Sequence, residues 1–297
     1  MMKTQLKRVL GITFVLGMAL LTARAEDGDA MKQLADKGVT ITESKTAGTT
    51  VTIKECSKLT EADFKSIGKI QHVKSLSFGL GLTDATLALL SELNDVESLS
   101  TNGALVSDEG LKALGHMQKL KSLAFFHPGP NMSGTGLSVL ADAPGLERLT
   151  VAGSEKFGDA GMAAVAKLTQ LKEFRTWHAG VTIEGVKSLK TLKALKSINV
   201  GQRLAYKPPV SVSNETVAAL VEMTSLESIQ LGEARLSLPA LSQLKALPNL
   251  KKLTLDGIDV PKADLEALKK ELPKVDIKHT EPNEAYMKRI QSLFGKE

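Results

Sequence analysis

The sequence predicts an α/β solenoid made of one short repeated unit, and three observations predict it. An apolar-x-x-apolar-x-apolar pattern recurs along most of the 297 residues. Its first positions advance in steps of 23, 24, 26, 25, 24, 31, 24 and 22 residues. Within each unit the apolar period then changes from two to three or four, the change from strand spacing to helix spacing. Length alone would suggest about two ordinary domains. A repeat removes that inference, because each coil packs only on its neighbours.

Residues 1–25 read as an export signal. Lys3, Lys7 and Arg8 form a basic head, Val9–Leu21 is uncharged and mostly apolar, and Ala23-Arg24-Ala25 is a small-x-small cleavage site. As a helix the apolar run would be about 20 Å long, short of the roughly 30 Å hydrocarbon layer. The segment therefore points to cleavage after Ala25 and a periplasmic or extracellular location, with an uncleaved anchor as the alternative. It contains four basic residues, so the rest of the chain keeps 34 of the 38 basic residues against 33 acidic ones, a net charge of +1. That balance gives no case for nucleic acid, which needs a clustered basic patch. The lone Cys56 excludes an internal disulfide framework and leaves packing to supply stability.

Residues 26–47 predict an N-terminal cap, a helix at about Asp29–Asp36 followed by Val39-Thr-Ile41 pairing with Val51-Thr-Ile53 to close the first sheet edge. The repeats occupy 48–280. Their strand triplets are Val73/Leu76/Phe78, Val96/Leu99, Leu120/Leu123/Phe125, Leu146/Leu149/Val151, Leu171/Phe174, Leu195/Ile198/Val200, Leu226/Ile229/Leu231 and Leu250/Leu253/Leu255. Weaker terminal copies sit at Val51/Ile53 and Leu272/Val275/Ile277. After each triplet comes Ser, Thr, Asn or Asp, then an apolar stripe such as Val186, Leu189, Leu192 and Leu195 that would face the strand layer. Thr60-Glu-Ala-Asp63, Ser107-Asp-Glu109 and Ser213-Asn-Glu215 predict helix starts. In 281–297, Tyr286, Ile290 and Leu293 at helical spacing after Pro282 predict a lid helix over the last coil.

The segments GLTDATLALLSELNDVESLS, LVSDEGLKALGHMQKLKSLAF and FGDAGMAAVAKLTQLKEF resemble the leucine-rich repeat family. They are closest to the form with a TDxGL helix start found in ribonuclease-inhibitor-like and cysteine-containing repeats. VTIKECSKLTEADFKSI has Cys56 where the second subclass carries cysteine. The resemblance covers about residues 48–280 in about ten repeats, and many exported bacterial proteins look like this. It implies a curved arc or horseshoe with a parallel sheet on the concave face, helices on the convex face, and a binding scaffold.

In the register set by Leu171 and Phe174, alternation turns Phe174 and Thr176 inward and Glu173, Arg175 and Trp177 toward the concave face. The same alternation exposes Ser122, Ala124 and Phe126 on one neighbouring strand and Arg148, Thr150 and Ala152 on the other, with His127 and His178 at the strand ends. Phe126, His127, Arg148, Glu173, Arg175, Trp177 and His178 therefore form the candidate binding patch, rich in residue types that anchor interfaces. A one-residue slip would bury Trp177 and expose Phe174. Thr176 at a nominal core position keeps that alternative open. Two enlarged segments, FFHPGPNMS (125–133) and GQRLAYKPPVSVS (201–213), follow strands on the same side, and the second would bring Tyr206 toward a ligand near Trp177, or is a tolerated surface insertion.

Five histidines show no H-E-x-x-H and no paired Cys/His spacing, so no metal is expected. No G-x-S-x-G or G-x-x-x-x-G-K-[ST] segment occurs, and neither enzymatic activity nor a cofactor is expected. GPNMSGTG reads as a turn, and Cys56 as a buried small apolar group beside Gly81, Ala104 and Ala179. The expected partner is a protein or peptide, with a glycan as an open alternative, and neither nucleic acid nor a stable membrane span. The rival classes are an envelope-associated spacer without a specific ligand and a substrate-recognition adaptor of the cysteine-containing repeat type.

Overall fold

Among the described residues, eleven strands run side by side in chain order in one open sheet. The computed structural model describes residues 31–44, 46–203 and 208–295. The export-like segment and Tyr206 lie outside the described residues. After a helical segment at 31–36, β1 (Val39–Ser44) pairs antiparallel with β2 (Gly48–Glu55) in the expected register, Val39 with Ile53 and Ile41 with Val51. All later pairings are parallel: β3 (Val73–Leu80), β4 (Ser98–Asn102), β5 (Ser122–Phe126), β6 (Arg148–Ala152), β7 (Glu173–Trp177), β8 (Ser197–Val200), β9 (Ser228–Gly232), β10 (Lys252–Asp256) and β11 (Asp276–Thr280). The two-residue period buries one side of each strand. Leu76, Leu99, Leu123, Leu149, Phe174, Ile198, Ile229 and Leu253 stand in register as one core row.

The other layer is less helical than the resemblance implies. The returns after β2, β3 and β6 to β10 carry α-helical turns, most of them short, such as Asp84–Ala88, with Lys262–Glu271 the longest, whereas Gly110–His116 after β4 and Thr135–Asp142 after β5 are 3-10 helices. The stripe still faces the sheet, with Val186, Leu189, Leu192 and Leu195 all buried.

A carboxylate ladder joins successive coils and explains the helix-start motif. Thr60 and Ser213 cap their own helices, as expected, and Ser107 Oγ accepts from the Glu109 and Gly110 N–H groups. The Asp that follows a cap serves the next coil instead. Asp84 accepts from Ser107 N–H and Oγ–H, and Asp159 from Thr182 N–H and Oγ1–H. Asp108 accepts four hydrogen bonds, from Ser133 N–H, Ser133 Oγ–H, Gly134 N–H and Gly136 N–H, at 2.7 to 3.0 Å. The glycine of the motif makes room for this arrangement. A Cβ on Gly110 would fall 1.9 Å from Asp84 Oδ1.

Both ends are covered. The closing helix Glu284–Phe294 buries Ile290 fully, and its Tyr286 ring lies over Gly257 of the tenth strand's turn. Cys56 is buried and its thiol is pushed up to about 11 by burial, which keeps it protonated and matches the small-apolar reading.

Candidate functional site

The concave face is set by the residues that alternate with the core row. From β3 to β5 it is a hydroxyl and small-residue floor, Ser75, Ser77, Ser98, Ser100, Ser122 and Ala124, with Ser100 Oγ donating to Ser77 Oγ. It continues through Thr150 on β6, then Asn199 and Gln230 on β8 and β9. Arginine and aromatic groups interrupt this neutral floor only near its middle.

Phe174 and Thr176 are buried at 0% and 1%, while Arg175 is exposed and Trp177 partly exposed, so the strand stands in the register expected and not the slipped one. Thr176 Oγ1 has no hydrogen-bond partner, and the same holds for Thr101, which occupies the same core row. Two hydroxyls are thus tolerated in that row at a cost of about 1–3 kcal/mol each. That tolerance is why Thr176 did not force the slip.

Phe126 and Trp177 stand two strands apart with ring centroids at 6.1 Å and an interplanar angle of 50°. They meet because the residue between them in register is Ala152, whose methyl group lies beneath both rings. Ala152 is therefore covered, 2% exposed, where alternation alone predicted an open position. On its far side Trp177 abuts Gly201, where a Cβ would fall 2.5 Å from Trp177 Cβ. Arg175 Nε is paired with Glu173, so the carboxylate expected to set charge selectivity is already engaged. Arg148 is exposed, stands opposite Glu173 in register and helps, after Lys172, to lower the Glu147 carboxyl.

The strand-end turns separate the two histidines. Three strands end there in a left-handed glycine, Gly103, Gly153 and Gly257, and three in His127 (φ 46°), His178 (φ 49°) and Glu233 (φ 58°). A non-glycine residue in that region costs about 1–3 kcal/mol and marks a site worth attention. His127 engages Asn102 Oδ1 through Nδ1 at 3.0 Å, and its ring lies across Gly153. His178 Nε2 meets Glu233 Oε1 at 2.6 Å, and Glu233 Oε2 also accepts from Arg289 of the closing helix at 3.3 Å. The imidazoles are thus engaged by different partners rather than with each other. No group of three or more metal-ligating side chains occurs among the described residues.

Opposite rims of the sheet differ in chemistry. At the strand starts, Glu97 joins Lys74 and Lys121, Glu147 joins Lys172, and Glu227 joins Lys196 and Lys251, all at 2.6 to 2.9 Å. The Lys121 and Lys74 ammonium groups hold the Glu97 carboxyl down at about 2, and Lys251 and Lys196 do the same for Glu227. At the strand ends stand Leu80 (60% exposed), Leu105 (54%), Phe126 and Trp177. Leu80 lies across Gly103, and Leu105 lies against Gly129.

The coil is of the leucine-rich-repeat kind. Parallel strands at a step of about 24 residues, a buried row in register and a helical or 3-10 return decide that. No protein-family model matches the chain, and no curated protein matches it. Among solved structures, an internalin from Listeria monocytogenes is similar at 17% identity over 78% of each chain, with a TM-score of 0.32. No helix of the described residues is long and apolar enough to cross a membrane.

Several participants escaped the sequence reading. Glu233 pairs with His178 across the intervening enlarged unit, a separation of 55 residues, so no local spacing signals it. The available signal was its position, since Glu233 stands where other coils have glycine. Leu80 follows Leu76 and Phe78 at a spacing that suggests burial, but the chain is already turning at Gly81 (φ 88°) and leaves it outside.

Proposed function

We propose that this chain is a non-enzymatic scaffold that binds a protein or peptide through its concave face. The observation that carries this reading is the tilted Phe126–Trp177 pair, held partly exposed on a sheet whose core row keeps β3 to β10 in register. Such a floor loses little conformational freedom on association, so aromatic contact area converts efficiently into affinity. The left-handed His127 and His178, which directly follow Phe126 and Trp177, support it, because strain of that kind collects where function over-determines geometry. The basic head, apolar run and Ala-x-Ala of residues 1–25 support export and work in the periplasm or outside the cell. The Asp-bearing helix starts and buried Cys56 support a place beside the ribonuclease-inhibitor-like and cysteine-containing repeats.

A photoreactive amino acid at position 177 tests the reading. It is expected to capture a discrete partner identified by mass spectrometry, and the same group at exposed Lys187 on the convex side is not. Trp177→Ala should weaken binding of that partner by about 30-fold, the consequence of losing about 2 kcal/mol at an aromatic anchor. Capture of the same proteins from both positions, or a partner indifferent to Trp177→Ala, would favour the spacer reading.

A further inference from the structure

We infer that the concave face takes an extended peptide segment that carries both bulky apolar and acidic side chains. The inference rests on the reading above and names the chemistry of its partner. Three features on the face bear on that chemistry. The first is the apolar strand-end rim. Phe126 and Trp177 face the hollow at the ends of β5 and β7, and exposed Leu80 at the end of β3 and Leu105 in the loop after β4 extend the apolar edge over four strand spacings, about 19 Å. An extended segment of about six residues covers that length at about 3.3 Å per residue.

The second feature is charge. Arg148 and Arg175 stand on adjacent strands with Glu173 between them, and from β3 to β9 the rest of the floor, the aromatic pair aside, is made of Ser, Thr, Ala, Asn and Gln. Glu173 pairs with Arg175, and Glu147 near Arg148 is itself joined to Lys172, so this part of the face keeps one positive charge in excess, and a carboxylate is the group that meets a guanidinium in bidentate geometry. The third feature is the opposite rim. Each of the three strand-start glutamates is already joined to lysine, so that edge offers neither apolar area nor an unmatched acid, and the contact is directed to the centre and the strand ends.

A neutral polysaccharide fits these features less well. A sugar ring stacks on Trp177, but it leaves the excess positive charge unmatched and gains little from the exposed aliphatic side chains of Leu80 and Leu105. An apolar and acidic peptide satisfies all three.

The test is selection from a phage-displayed random dodecapeptide library on the immobilised full chain, with Arg148→Glu/Arg175→Glu and Trp177→Ala variants in parallel. Each variant is first checked for wild-type cooperative thermal unfolding. The wild type should enrich peptides that combine Asp or Glu with Leu, Ile or Phe, by about tenfold over those bearing Lys or Arg, as expected for complementary charge at an interface. The charge-reversed variant should enrich basic peptides instead. If that variant fails to fold, retention of the wild-type peptides must fall as salt is raised, because the arginine contribution is screened. Enrichment that depends on Trp177 but shows no acidic bias overturns this inference and leaves the concave-face reading standing. Absence of any enrichment counts against both. Binding of a neutral oligosaccharide array that Trp177→Ala abolishes replaces the peptide with a glycan.

Discussion

Phe174→Ala is expected to lower the free energy of unfolding by about 3–5 kcal/mol, measured as a shift of the denaturant midpoint at constant slope. The ring is fully buried in the core row between Leu149 and Ile198. Its removal loses the transfer energy of the side chain and leaves a cavity that the rigid stack closes poorly, since adjacent strands are pinned by their own ladder. Trp177 is larger and only three residues away, yet Trp177→Ala should cost far less stability because part of its surface already meets water. The contrast between the two aromatic residues reads the register directly. Equal losses would mean that both rings share the core.

Asp108→Ala should cost about 3 kcal/mol, large for a position on the edge of the solenoid. One carboxylate satisfies three backbone N–H groups and one hydroxyl of the next coil, and alanine leaves them without an acceptor. Asp108→Asn should recover part of the loss, because an amide oxygen still accepts but carries no charge. Burial alone would raise this carboxyl, and the hydrogen bonds from Ser133, Gly136 and Gly134 outweigh it, so its value lies below the ordinary carboxylate range. A folded value lower than the unfolded one gives stability that is fully present above the unfolded pKa. It is lost as pH falls through the folded value. Acid titration of unfolding should therefore show a smaller loss for Asp108→Ala than for the wild type.

The repeated coil was legible because each strand is an independent copy of the same burial pattern. Slipping one strand against the rest would have broken a row of eight residues from Leu76 to Leu253, so the register of Trp177 could be taken from its neighbours. The hairpin at Val39–Ile53 was legible for a related reason, two β-branched runs joined by a short polar segment. The Asp ladder was only half legible. The TDxGL-like spacing marks the helix start, but that Asp84 and Asp108 reach the following coil depends on how coils stack. Charge pairing was the least accessible. Glu173 read as a free determinant of selectivity and is held by Arg175, and Glu233 arrives at His178 from two coils away. In both cases the side chain's reach, rather than its strand position, decides the partner.

Trp177 is the chain's one tryptophan, so its fluorescence reports a single environment. Acrylamide quenching of the native protein tests most directly the claim that alternation sends this ring to the concave face and Phe174 to the core. The structure predicts substantial quenching without unfolding, increased further by Phe126→Ala, which removes the ring that partly covers it. A native emission that stays blue-shifted and unquenched until the chain unfolds would contradict the register and, with it, the binding face.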